Sequence, residues 1–87
     1  MKKIINGKKY DTETAIKLAY WTKDKPNDDF YFEQETLYIK KNGEYFLSTW
    51  QGNKQKLFLM SDEGAKEWSE FRLDADEYEK LFGEVEE

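Results

Sequence analysis

The feature that most constrains the fold is a pair of β-rich runs joined by an Asn-Gly dipeptide. Residues 36–41 and 44–50 mix β-branched, aromatic and polar side chains on either side of Asn42-Gly43. Asn-Gly suits a two-residue primed turn, in which both central residues adopt positive φ. Such a turn predicts an antiparallel hairpin in which Tyr38 lies opposite Leu47.

The flanking segments extend this hairpin into a larger sheet. Residues 30–32 predict a short strand before it, and residues 56–60 predict a strand after it. Capping residues at positions 11 and 12, followed by apolar residues at helical spacing, predict an N-terminal helix that runs to about Trp21. The expected sheet is therefore a small antiparallel β-meander of three to four strands.

Two further helices are expected after the sheet. Ser61 followed by two acids is typical of a helix start, and Ala65, Trp68 and Phe71 mark the predicted buried stripe. Asp74 favours the start of a last helix, which Gly83 would end. The predicted fold class is α+β, with all three helices packed on the meander. Residues 1–83 would form one domain, and residues 84–87 an acidic tail.

The absence of two residue types excludes several kinds of functional site. The 87-residue sequence contains no cysteine and no histidine, which excludes disulfides, Cys/His zinc sites and Ser-His or Cys-His nucleophiles. No apolar h-region follows the N-terminal lysines, and no run reaches the roughly 20 apolar residues of a membrane span. We therefore expect a cytoplasmic protein that binds a partner, without cofactor, metal or enzymatic activity.

Carboxylate chemistry needs no histidine and gives a competing interpretation. Asp28, Asp29, Glu33 and Glu35 fall around one predicted loop. Such a cluster could hold Mg²⁺ or supply an acid/base pair. Loop acids are also common in an acidic protein, and the spacing alone does not make these four converge.

The charge is strongly asymmetric along the chain. Residues 1–61 carry a net charge of +3, and residues 62–87 carry −8. The acids at 63, 67, 70 and 74 are spaced four, three and four apart, which predicts a carboxylate on each turn of one helix face. The simpler interpretation is that this face is only solvated. The more specific interpretation is that it binds a basic groove on a partner. The candidate partner-binding residues are Glu63, Glu67, Glu70, Asp74, Asp76, Glu77 and Glu79.

The predicted sheet offers an alternative surface. Lysines and aromatic residues alternate near the hairpin turn, as in single-stranded nucleic-acid binders that stack bases on rings. Ordinary cross-strand packing would explain the same rings. The residues of this alternative site are Lys40, Lys41, Tyr38 and Tyr45.

Three blocks of the chain resemble one family. Residues 1–15 resemble the opening of small proteins carried on mobile elements of Gram-positive bacteria. Residues 35–38 with 41–47 are similar to that family's central hairpin, and residues 73–83 are similar to its C-terminal signature. Relatives of this domain occur in type II anti-CRISPR proteins, sometimes as an N-terminal module.

The resemblance implies an inhibitor that binds a type II CRISPR effector nuclease. Such nucleases hold the guide–target duplex in a basic channel, for which an acidic helical face is a suitable plug. Direct nucleic-acid binding is not expected on this interpretation. An accessory RNA- or protein-binding module that acts through the basic, aromatic sheet is the alternative, followed by a metal-dependent nuclease.

Overall fold

The computed structural model describes residues 1–23 and 33–86. These residues form a two-stranded and a four-stranded sheet, followed by two helices. The α+β class and the two C-terminal helices are confirmed. The elements are β1 (Lys2–Ile5), β2 (Lys8–Asp11), β3 (Ile16–Lys23), β4 (Glu33–Ile39), β5 (Tyr45–Gln51), β6 (Lys54–Met60), α1 (Asp62–Arg72) and α2 (Ala75–Phe82).

The first hairpin shows what Asn-Gly does in a two-residue turn. Ile5 pairs with Lys8, so that Asn6 and Gly7 alone connect β1 to β2. Both adopt positive φ, at 54° and 77°. This is the primed geometry that matches the twist of the two strands.

The second Asn-Gly forms a different turn, and the predicted register is wrong by one residue. Leu37 lies opposite Leu47, and Tyr38 opposite Phe46. Among the described residues, Asn6 is the sole non-glycine residue with positive φ, so Asn42 does not adopt the primed conformation. The Gly43 N–H donates to the Lys40 carbonyl at 2.9 Å and Gly43 takes φ +90°, which gives a longer loop with a glycine bulge.

The predicted N-terminal helix is also wrong, because its apolar half is strand β3. The capping signal closes a single turn: the Asp11 carboxylate accepts the Glu13 N–H, and the Ala15 N–H donates to the Asp11 carbonyl. From Ile16 onward the chain pairs with β4 instead, with a bulge between Lys17 and Ala19. Aromatic and β-branched residues favour this outcome.

The predicted meander is not confirmed, because other segments of the chain form its strands. The four-stranded antiparallel sheet runs in the order β3-β4-β5-β6. Its first strand is the segment expected to be helical, and the strand predicted at residues 30–32 lies outside the described residues.

The sheet is covered on both faces. On one face, Leu37 and Leu47 form a core with Ala65 and Trp68 of α1. On the other face, Phe46 and Leu57 pack against Tyr10 of the β1–β2 hairpin. Helices and hairpin therefore lie on opposite sides of one sheet, because successive side chains of a strand point to opposite faces.

The helix boundaries are as predicted, since their signals are local. The Ser61 hydroxyl accepts the Gly64 N–H at 2.9 Å, and the Asp74 carboxylate accepts the Glu77 N–H at 2.8 Å. Gly83 ends α2 with φ +88°, a conformation that L side chains rarely adopt. Neither helix in the described ranges is long and apolar enough to cross a membrane.

The sheet-facing side of α1 carries the half-buried Arg72 in place of Phe71. Phe71 is 76% exposed, so its predicted burial is wrong. The Arg72 Nε donates to Glu35 Oε1 of β4 at 2.8 Å, and the Trp68 Nε1–H donates to the same oxygen at 2.9 Å. The Arg72 guanidinium carbon also lies 3.7 Å from the centre of the Trp21 ring. These contacts rotate α1 so that Phe71 faces solvent, over the guanidinium.

Two alanine substitutions in α1 separate the buried position from the exposed one. Trp68→Ala removes a core ring and is expected to lower the free energy of unfolding by about 3–5 kcal/mol, enough to unfold much of so small a domain. Phe71→Ala is expected to cost about 0.5–1 kcal/mol, because it loses only the contact with Arg72. Thermal and urea denaturation followed by circular dichroism measure both. Equal losses would contradict this packing.

Candidate partner-binding surface

Three acids of α1 point directly away from the sheet. Glu63, Glu67 and Glu70 are exposed, and at about 100° per residue they centre roughly 180° around the helix from the buried stripe. The Arg72 contact determines this orientation. The described residues contain two salt bridges, Lys8–Glu44 and Arg72–Glu35, neither of which involves these acids.

The remaining predicted acids belong to α2 and its cap. Asp74 is not part of α1: its carboxylate caps α2, and it stays exposed. Asp76 and Glu77 are exposed in the first turn of α2, and Glu79 is half-buried. The predicted row of four is therefore three acids on α1 followed by an acidic α2 N-terminus, in which the helix dipole stabilises the carboxylates.

A groove lies where the two helices meet. Its volume is about 310 Å³. Glu70, Asp74 and Glu79 bring three carboxylates to its lining, beside apolar surface from Leu73, Tyr78 and Val85. Oxygen acceptors above apolar walls match the head and stem of a lysine or arginine side chain. The structure thus brings the two halves of the acidic surface together at this groove.

The two tyrosines of the alternative aromatic site do not lie side by side. Tyr38 stacks on Phe46 at a centroid distance of 5.1 Å, on the hairpin face of the sheet. Tyr45 packs near Phe82 on the helix face. The one-residue difference in register places the two rings on opposite faces, since strand side chains alternate. No exposed platform of these two tyrosines exists for stacked bases.

The two lysines of that site have separate environments. The Lys40 ammonium lies 4.2 Å from the centre of the Tyr10 ring, a cation–π contact that holds it beside the β1–β2 hairpin. Lys41 is exposed at the turn.

A carboxylate that sequence reasoning missed joins the two hairpins. Glu44 accepts the Tyr10 hydroxyl at 2.8 Å, the Lys8 ammonium at 3.1 Å and the Asn42 amide at 2.8 Å. The Tyr10 hydrogen bond, followed by the Lys8 one, lowers the pKa of Glu44 from 4.5 to about 2. The same bond is the main cause that raises the Tyr10 pKa. Lys8 and Tyr10 lie more than 30 residues from Glu44, so no local pattern signals their contact with it.

The carboxylates of the metal hypothesis do not converge in the described residues. Glu35 is engaged by Trp68 and Arg72. Asp28 and Asp29 lie outside the described residues. Within residues 1–23 and 33–86, no group of three acids is placed to hold a metal ion.

Comparison with known proteins returns no relative. The chain matches no protein-family model, no curated protein and no solved structure.

The Glu44 network predicts a specific loss of stability in acid. Because the folded-state pKa is depressed, its stabilisation is complete above pH 4.5 and is lost as the pH falls towards 2. Glu44→Gln removes the charge at every pH, so wild type should be more stable than the variant at pH 6 and approach it near pH 2. Urea denaturation across this range measures the difference. A gap that is constant with pH would contradict the linkage.

Proposed function

We propose that this protein is a non-enzymatic anti-CRISPR protein, which inhibits a type II RNA-guided DNA nuclease in the cytoplasm of a bacterial host. The acidic helical face would bind a basic nucleic-acid-binding site of the nuclease and occlude it. The observation that carries the proposal is the orientation of α1, which presents Glu63, Glu67 and Glu70 to solvent opposite its buried stripe.

The energetics of this face favour a role in binding. Neighbouring like charges on one helix face destabilise the helix by a few tenths of a kcal/mol per pair. The chain keeps these carboxylates without a salt-bridge partner among the described residues. A basic partner would relieve the repulsion, and unpaired surface charges are available to form new pairs.

The nuclease channel supplies the complementary chemistry. Enzymes of this class hold a guide–target duplex through its phosphates and read the adjacent motif with arginines. A lysine or arginine of that site would enter the groove between α1 and α2, with its stem on Tyr78 and its cation between Glu70 and Asp74. Attraction at a distance would speed capture.

The direct test is co-purification with a guide-loaded type II nuclease, with and without target DNA, together with a DNA-cleavage assay. We expect the protein to bind the guide-loaded nuclease and target DNA to weaken that binding. We also expect DNA cleavage to be inhibited in proportion to binding. Binding that leaves cleavage unchanged would contradict the proposal, and so would the absence of binding.

Charge reversal on α1 tests the contact. Glu67→Lys with Glu70→Lys should leave the fold intact, because both side chains are exposed. The reversal should slow association at low salt by about tenfold or more and flatten the salt dependence of affinity.

A matched control isolates position from net charge. Glu84→Lys with Glu86→Lys makes the same change of charge on exposed residues beyond α2. This variant is expected to inhibit as wild type does. If the two double variants weaken binding equally, overall charge rather than the acidic helical face makes the contact. Wild-type potency in the Glu67/Glu70 variant at low salt would leave that face with a role in solubility alone.

A further inference from the structure

A second charged surface lies on the opposite side of the sheet. The β1–β2 hairpin and the adjacent β4–β5 turn carry six lysines: Lys2, Lys3, Lys8, Lys9, Lys40 and Lys41. The Lys8–Glu44 ion pair and the Lys40–Tyr10 contact hold the hairpin and the turn side by side. Lys40 and Lys41 also belong to the predicted aromatic sheet surface, whereas a surface shared with the hairpin is not evident from the sequence.

A groove opens where the hairpin and the turn meet. It has a volume of about 420 Å³, and Lys9, Lys40 and Lys41 line it. The Thr14 and Asn42 side chains add hydrogen-bond donors, and Ala15 adds apolar surface. The groove therefore combines cations, donors and an apolar wall.

The lysines of the groove remain available for a ligand. Lys9 and Lys41 are exposed, and neither is in an ion pair within the described part of the chain. The ring of Tyr10 positions Lys40, and the Tyr10 hydroxyl is itself fixed by Glu44.

The nearby acids offset only part of this charge. Asp11 lines the groove, and its carboxylate accepts the Glu13 N–H. Glu44 is already bonded to Lys8, Tyr10 and Asn42. The groove thus keeps a net positive charge, although the whole chain carries −5.

We propose that this groove binds the sugar–phosphate backbone of a single-stranded nucleic acid. The ammonium groups would bind phosphate oxygens as point charges, with the Thr14 hydroxyl and the second amide hydrogen of Asn42 as neutral donors. Sugar carbons would lie against Ala15 and the lysine stems. A concave, cation-lined site of this size fits the backbone of a single nucleic-acid strand. An anionic bilayer presents a flat surface, which would leave the groove empty.

The number of lysines sets the expected salt dependence. Each phosphate neutralised on a single strand contributes about −0.7 to the slope of log K against log salt. Three lysines predict a slope of about −2, with no strong preference between RNA and DNA, since both carry the same phosphates.

The experiment is fluorescence anisotropy with a labelled, mixed-sequence RNA of about 20 nucleotides, longer than the roughly 4–16 nucleotides of a typical single-strand site. The probe is titrated with the full chain, first at low salt. Lys9→Glu with Lys41→Glu should weaken binding by about tenfold or more and reduce the slope to about one third. Lys54→Glu with Lys56→Glu makes the same change of charge on exposed residues of β6 and should leave the slope unchanged. Circular dichroism checks that both variants fold.

Other outcomes would overturn the proposal. Absence of wild-type RNA binding at low salt would do so, as would equal weakening in the two double variants. Groove-dependent binding to phosphatidylserine vesicles without RNA binding would assign the groove to a membrane surface. Salt-sensitive self-association without RNA binding would assign it to the acidic helices of a second copy. The nuclease takes no part in this experiment, so its outcome is independent of the proposed inhibition.

Discussion

The Glu35 carboxylate determines how α1 is oriented on the sheet. One of its oxygens accepts both the Trp68 indole N–H and the Arg72 Nε–H, so a single group on β4 fixes two positions of α1. An unpaired indole or guanidinium in this half-buried place would cost about 1–3 kcal/mol, so other rotations of α1 are disfavoured. The observed rotation of α1 about its axis buries Ala65, exposes Phe71 and turns Glu67 to solvent. The acidic helical face is thus a consequence of a polar contact on the opposite side of the same helix.

Local signals predict the parts of the fold that depend on neighbouring residues alone. Ser61 and Asp74 cap helices through hydrogen bonds to residues three positions away, so their identity is enough. The segment after Ala15 is different, because its apolar spacing fits a helix and its β-branched and aromatic residues fit a strand. Pairing with β4 decides between them, and that partner lies beyond the segment itself, from Glu33 onward. The exposed acids were predictable from periodicity, whereas the exposure of Phe71 depends on Glu35.

The two Asn-Gly turns show how one tertiary contact can alter a local preference. Asn6-Gly7 takes the primed geometry that the dipeptide favours. At the second turn, the Asn42 side chain accepts the Glu44 N–H and donates to the Glu44 carboxylate, which Tyr10 and Lys8 also hold. This network stabilises the longer loop. The resulting shift of one residue moves Tyr45 to the face opposite Tyr38, so the two tyrosines do not share a face, for a reason that lies in the first hairpin.

The sheet also separates the charges of the chain in space. The helices pack on one face of the sheet and the β1–β2 hairpin on the other, so the sheet lies between the two charged surfaces. The fields of exposed charges are screened over about 8 Å at physiological ionic strength. The acidic helices therefore do not cancel the field of the lysine-lined groove, even though the net charge is −5. A partner that approaches either face responds to the local sign of charge, which would allow the two proposed contacts, with a basic protein on one side and with a phosphate backbone on the other.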